Sequence, residues 1–373
     1  MTKTISEEPL KIINSLLTVL NQRQQDIIKK RYGLNNEEPK TLEAIGKTYG
    51  ITRERVRQIV EASLKLIKKS QKINDLKPFI TRARLILLEL GGLEEENDFL
   101  QKILEELKLK PNNKNAIKFI LLLDDNFEYE EENDLMYSYW HLSSLSKQEI
   151  EDTAKKIINL FEKVKTLLTI DALIKKLQEE YKLSLPDKTA AIYLKLIKRI
   201  GMNPFGEYGL REWPAIEPNG AKDRAYTLMS HTKTPLHFKE IAKHLNTSLI
   251  PVDKSKKAIT ASPLVLSKSW LKKTEVQTIH NELIKDPRFI LIGRGIYALK
   301  EWGYKPGKIA DVIKDVLKEA KKPLTQEEII KEVQKRRIVK TNTIILNLNN
   351  KKLFKKLPDK RYTLQEENKI LEV

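Results

Sequence analysis

The stretch Thr41-Leu42-Glu43-Ala44-Ile45-Gly46-Lys47-Thr48-Tyr49-Gly50-Ile51-Thr52-Arg53-Glu54-Arg55-Val56-Arg57-Gln58-Ile59 decides the fold of the N-terminal end. A threonine opens each half. Thr41 and Thr52 each precede a run of helix formers, and a threonine hydroxyl can accept one of the free N–H groups of a first helical turn. Gly50 stands between the two runs. This predicts a helix over 42–49, a tight turn, and a second helix from Arg53 to about Lys68. Two short helices around such a turn form a helix-turn-helix, whose second helix enters the major groove of DNA N-terminus first.

The second helix divides by face. At ~100° per residue, Val56, Ile59, Ser63, Leu66 and Ile67 share one side. Arg53, Glu54, Arg57 and Gln58 lie opposite, in the first turn and a half. Those side chains suit base reading: arginine spans two guanine acceptors, glutamine pairs with adenine, and glutamate accepts from the cytosine amino group.

From Leu20 to Lys69, within a module of about residues 10–70, the chain resembles region 4 of the sigma-70 family of RNA polymerase sigma factors. The residues that carry the likeness are Thr41-Leu42-Glu43-Ala44-Ile45-Gly46 and Thr52-Arg53-Glu54-Arg55-Val56-Arg57-Gln58-Ile59, with Arg23 and Arg31-Tyr32-Gly33-Leu34 upstream. The resemblance implies that Arg53, Glu54, Arg57 and Gln58 face the bases of a promoter −35 element. It implies phosphate contacts from Arg23, Arg31, Thr41 and Thr52, and docking on the flap of the polymerase β subunit. Val60 departs from the family, which usually has an acidic residue there; beside the recognition face, it is expected to alter contacts beyond the bases. Nothing resembles region 2, so the expectation is a regulator or polymerase-associated factor and not a complete sigma factor.

Working outward, 373 residues suit several small domains. The net charge of +18 favours polyanionic partners. It is unevenly spread: +6 over residues 1–70, −6 over 71–146, +2 over 147–220, and +8 over each of 221–304 and 305–373. The basic ends point to phosphate and the acidic inner segment to protein. The absence of cysteine excludes disulfides and thiolate metal sites. No apolar signal core and no run near the ~18 apolar residues of a membrane span are present. The expected setting is the cytoplasm of a bacterium, at the nucleoid, with no membrane partner.

After residue 72 a pattern of helix, turn, capped helix, third helix and aromatic-rich hairpin recurs four times. The second helices open at Gly92-Leu93-Glu94, Leu168-Thr169-Ile170-Asp171, Pro235-Leu236-His237-Phe238 and Pro323-Leu324-Thr325-Gln326. The last opening carries a capping box, Thr325 with Glu328. The hairpins fall at Tyr137-Ser138-Tyr139-Trp140, Tyr208 to Trp213, Ile296 to Trp302 and Arg361-Tyr362-Thr363-Leu364. Three helices and a terminal hairpin make a winged helix. The fold class expected is therefore mainly α, a multi-domain string of helix-turn-helix and winged-helix domains with small β-wings. The divisions expected are 1–72, 73–145 (acidic), 146–217, 221–304, 306–365 and a tail over 366–373.

Residues 221–304 resemble the HARE-type winged helix, similar to the N-terminal domain of the RNA polymerase delta subunit. Ala225-Tyr226, Pro235 to Ile241 and Asp286 to Leu299 carry that likeness, which implies binding of either protein or DNA. Its hairpin is read with Phe289, Leu291 and Tyr297 inward and Gly293-Arg294-Gly295 as the turn. Further candidate DNA contacts are Lys254, Lys256 and Lys257 in a basic insert, Arg294, and Lys335-Arg336-Arg337 in the last domain.

No enzymatic signature emerges. There is no phosphate-binding loop, and Gly293-Arg294-Gly295 lacks the rest of a dinucleotide fingerprint. His141, His231, His237, His244 and His280 show no metal spacing with carboxylates, and the acidic run Glu128 to Asp134 reads as the solvated tip of a wing. No cofactor, metal or catalytic residue is expected. The function expected is a DNA-binding transcription protein that recognises double-stranded −35-like promoter DNA and acts with RNA polymerase core. The alternative is a delta-like polymerase accessory subunit with non-specific DNA binding.

Overall fold

The computed structural model describes residues 9–34, 37–247, 266–304 and 307–365. Lys254, Lys256, Lys257 and the tail at 366–373 lie outside the described residues. Within them are sixteen α-helices and ten short strands in small antiparallel sheets, so the fold is mainly α as the periodicity predicts. No helix among the described residues is long and apolar enough to cross a membrane. The chain divides into two compact units, residues 1–201 with 208–210, and residues 202–207 with 211–373.

In the first unit, four helices come first: α1 (Pro9–Leu17), α2 (Gln22–Tyr32), α3 (Leu42–Tyr49) and α4 (Arg53–Lys69). Asn21 and Gln24 cap α2 reciprocally, and Gly33 ends it in the left-handed conformation with φ 63°. Then follow α5 (Lys77–Glu89), β1 (Leu93–Glu95), α6 (Glu96–Glu106), α7 (Lys114–Leu122), β2 (Phe127–Glu130) and β3 (Tyr139–Leu142). Their sheet runs β1-β3-β2, with Leu93 opposite His141 and Tyr129 opposite Trp140. One apolar core runs without a break from Ile13 in α1 to Leu142 in β3. Tyr32 meets Phe119 at 4.9 Å between ring centroids, and Lys68 pairs with Asp125 at 2.5 Å.

The unit continues with α8 (Lys147–Val164), α9 (Ile170–Tyr181), α10 (Asp187–Leu196), β4 (Ile200–Met202) and β5 (Tyr208–Leu210). Ser146 and Glu149 close a capping box on α8, and Thr169 caps α9. Lys165 and Lys182 end these two helices at φ 52° and 55°, where glycine would be the unstrained choice.

The second unit holds α11 (Ala221–Thr232), β6 (Leu236–His237), α12 (Phe238–Asn246), α13 (Val276–Lys285), β7 (Phe289–Leu291) and β8 (Ile296–Leu299). These are followed by α14 (Ile309–Ala320), α15 (Gln326–Arg336), α16 (Thr341–Leu348), β9 (Phe354–Lys356) and β10 (Tyr362–Leu364). Thr325 and Glu328 form the expected capping box on α15. Each of the four hairpins recruits the segment just before the second helix: in the last three, Leu168 bridges Tyr208, β6 pairs β8, and Leu324 bridges Tyr362. In the first of the four, β1 does the same with β3.

In β7 the facing is as expected, with Leu291 opposite Tyr297, but the burial is not. Leu291 is 47% exposed, whereas Ile290 and Ile292 are buried with Ala298 against Trp302 and Tyr304. Phe289 and Tyr297 do point inward. Both faces of this hairpin are covered, so simple alternation does not identify the core side.

Candidate nucleic-acid interface

The helix-turn-helix is built from its caps inward. The hydroxyl of Thr41 accepts the Ala44 N–H at 3.1 Å, and that of Thr52 accepts the Arg55 N–H at 3.1 Å. Between the helices, Gly50 takes φ 62° and donates its N–H to the Gly46 carbonyl. Gly46 is there because the turn is tight. A Cβ at that position would stand 2.6 Å from the Ile51 carbonyl oxygen. Ile45 and Val56 are fully buried between α3 and α4, and Ser63 satisfies its hydroxyl on the Ile59 carbonyl at 2.7 Å.

The buried stripe of α4 is Val56, Val60, Ser63 and Ile67. Two expectations change here. Val60 is 6% exposed and belongs to the core, so it does not border the recognition face; Leu66 is 48% exposed and is not part of the stripe. Helix α4 packs on α2 as well as on α3, and Val60 joins the one core these helices share.

Arg53, Glu54, Arg57 and Gln58 are all exposed and sit together on the opposite face. Glu54, Arg57 and Gln58 are linked by hydrogen bonds. Arg57 donates Nε to Glu54 at 2.9 Å and Nη2 to the same carboxylate at 2.6 Å, and its Nη1 donates to Glu61. Gln58 donates to Glu54 at 3.4 Å and accepts from Arg55 at 3.2 Å. The hydrogen bonds from Arg57 hold the Glu54 carboxyl below its ordinary range, and the same bonds raise the guanidinium. Glu61 and Arg55 complete this network. Their signal in the sequence is the i, i+4 spacing of Arg57 and Glu61 and the i, i+3 spacing of Arg55 and Gln58.

The residues assigned to phosphate flank this face. Arg23 is exposed near the start of α2 with its guanidinium 5.4 Å from the centre of the Tyr49 ring. Arg31 is half-buried and donates to the Lys40 carbonyl at 3.2 Å, so it braces the loop that leads into α3. Thr41 and Thr52 are exposed at the two helix starts.

The candidates in the second unit are placed differently from one another. Arg294 is exposed at the tip of the β7–β8 hairpin. Lys335 is exposed and pairs with Glu332 at 2.6 Å, and Arg336 pairs with Glu319 at 2.9 Å. Arg337 is a correction. It is 6% exposed, and its guanidinium donates to the carbonyls of Ile292 at 3.1 Å, Leu291 at 2.9 Å and Gly307. Burial depresses its pKa. A guanidinium committed to three carbonyls inside the protein is a structural tie and not a phosphate contact.

A second correction concerns histidine. Pairing of β2 with β3 sets Glu128 opposite His141 and brings Glu130 onto the same face. The carboxylates lie 3.6 and 3.9 Å from the His141 ring nitrogen Nε2. The spacing in sequence gives no hint of this, because the register of a hairpin with an eight-residue loop cannot be read from the residues alone.

Comparison with known families places the first part of this chain. Residues 16–69 match the family described as Sigma-70, region 4. The chain is 34% identical over 68 residues to RNA polymerase sigma factor SigA of a Bacillus species, and the match covers 18% of this chain and 18% of that protein. It is 37% identical over 68 residues to RNA polymerase sigma factor SigA1 of Synechococcus elongatus, covering 18% of this chain and 17% of the relative. The chain thus spans less than a fifth of the length of these relatives. The helix-turn-helix of α3 and α4, with α2 before it, lies inside a sigma-70 region 4 domain at residues 16–69.

Proposed function

We propose that this chain is a DNA-binding transcription protein that recognises −35-like promoter DNA and acts with RNA polymerase in initiation or its regulation. Helix α4 enters the major groove by its first turns. Arg53, Glu54, Arg57 and Gln58 meet base edges, while Arg23, Arg31, Thr41 and Thr52 meet the flanking phosphates. The observation that carries this reading is the solvent-facing cluster at the start of α4, within residues that match Sigma-70, region 4. The relatives are RNA polymerase sigma factors by name, which supports polymerase core, through its β flap, as the protein partner. The division into five small domains with a tail, and the winged-helix character of residues 221–304, belong to the same proposal.

A test reads the groove directly. Guanine N7 lies on the major-groove edge. Methylating it within a TTGACA-like hexamer is expected to remove binding, whereas methylating guanines outside the hexamer leaves binding unchanged. Interference spread evenly along the duplex contradicts recognition by α4.

The acidic segment 71–146, with net charge −6, favours a second reading. In it the chain is a polymerase accessory subunit whose modules hold protein surfaces. Co-purification with polymerase that survives nuclease treatment, together with DNA binding that has no sequence preference, distinguishes this from the first.

A further inference from the structure

His141 is fully buried, and its two ring nitrogens have unlike surroundings. Nδ1 lies 3.0 Å from the Leu142 carbonyl oxygen, which can only accept, so Nδ1 carries the proton. Nε2 points the other way, toward the acidic side chains of β2. It has no hydrogen-bond partner, and it is aimed at Glu128 Oε2, 3.6 Å away, and Glu130 Oε1, 3.9 Å away. One atom from each of the three side chains falls within 4.8 Å of the others. An Nε2 without a proton would repel the two carboxylates, so a cation, either a proton on the ring or a metal ion, must stand between them. A buried polar nitrogen without a partner is equally unfavourable.

The geometry points to a divalent transition-metal site of the zinc type, formed by His141 Nε2, Glu128 Oε2 and Glu130 Oε1. Three features fit a metal. An imidazole that ligates a metal usually donates its other N–H to a backbone carbonyl or a carboxylate, which fixes the tautomer, and His141 does so to Leu142. In a tetrahedral site with bonds near 2.1 Å, ligand atoms stand about 3.4 Å apart; the two distances from Nε2, 3.6 and 3.9 Å, are close to that, and the two carboxylate oxygens lie within 4.8 Å of each other. Lys147 hydrogen-bonds Glu130 through the other carboxylate oxygen, Oε2, which leaves Oε1 free and turned to the histidine. One nitrogen and two carboxylate oxygens leave a fourth position for water. An imidazole nitrogen in the set favours zinc over magnesium. The three ligands come from both strands of the β2–β3 pair, so the ion would staple that hairpin to its register.

Glu128 is half-exposed, so replacing it does not threaten the fold. The test titrates Zn2+ into the metal-free full-length chain by calorimetry and repeats the titration with Glu128→Gln, with His141→Gln, and with Mg2+ in place of Zn2+. Far-ultraviolet circular dichroism checks that each variant is folded. The expected result is one Zn2+ per chain at this site, weakened roughly a hundredfold in Glu128→Gln, with far weaker binding of Mg2+. Excess Zn2+ should also raise the melting temperature of the native chain and not that of Glu128→Gln. Absence of stoichiometric Zn2+ binding overturns the proposal, with a proton as the remaining occupant of Nε2. So does Zn2+ binding that Glu128→Gln leaves unchanged, which would assign the ion to His231, His237, His244 or His280.

Discussion

Arg57 is gripped from both sides by carboxylates of its own helix, Glu54 and Glu61. Exposed pairs of this kind add little to stability, but they hold the guanidinium in one place before DNA arrives. On the proposed reading, binding would trade those carboxylates for base acceptors, an exchange of partners on a preformed face. Elsewhere a single charge has structural weight. Lys195 in α10 is largely buried and reaches Glu94 in β1, with Asp98 at 2.8 Å. Burial is the main influence on Glu94, whose carboxyl sits above its usual range in spite of the lysine. Replacing Lys195 with methionine leaves that carboxylate uncompensated and should cost about 3–5 kcal/mol at pH 7. A group whose folded pKa is raised is favoured in its protonated form, so the cost should shrink as pH falls toward about 5. Urea unfolding of Lys195→Met at the two pH values checks both size and sign. A cost independent of pH would mean that the lysine acts by packing alone.

Among the elements, the turn between α3 and α4 sets the angle between the two helices of the helix-turn-helix. Gly46→Ala should destabilise the first unit by about 1–3 kcal/mol, because the added methyl meets backbone and not a side chain that could move. It should also weaken DNA binding, since relief of the clash turns α4. Chemical unfolding and duplex binding of the variant check this; a neutral substitution would mean that the turn is slack. This element was legible in the sequence because each signal is local. Thr41, Gly50 and Thr52 act on neighbours within four residues, and the polar face of α4 follows from helical period. What was not legible depends on distant partners. Arg337 reads as one of three basic residues in a row, yet its carbonyl partners at Ile292 and Leu291 are more than forty residues away. Val60 joins a core to which α2 and the helices after α4 also contribute. Leu291 faces the side that alternation implies and is still exposed, and His141 meets Glu128 only once the register of the hairpin is fixed.

The whole molecule carries a charge of +18 and is divided into two compact units. A field of that size attracts any duplex, so affinity alone does not distinguish reading from gripping. The discriminating quantity is the difference between two sequences at the same salt concentration. The sequence made the mainly helical plan and the small β-wings visible through a recurring order of helices and aromatic hairpins. It did not make visible that one core joins the first four helices to the three-stranded sheet, since contacts such as Tyr32 with Phe119 cross almost ninety residues.

If α4 reads bases, affinity must depend on base sequence, and fluorescence anisotropy across a salt series measures that dependence. The native chain and Arg57→Ala are compared on a TTGACA-like duplex and on a scrambled one. The expected result is a preference of about tenfold or more for the first duplex, a loss of roughly 5- to 150-fold on it in Arg57→Ala, and little change on the second. Equal, steeply salt-dependent binding to both duplexes, or equal losses on both in the variant, would contradict it.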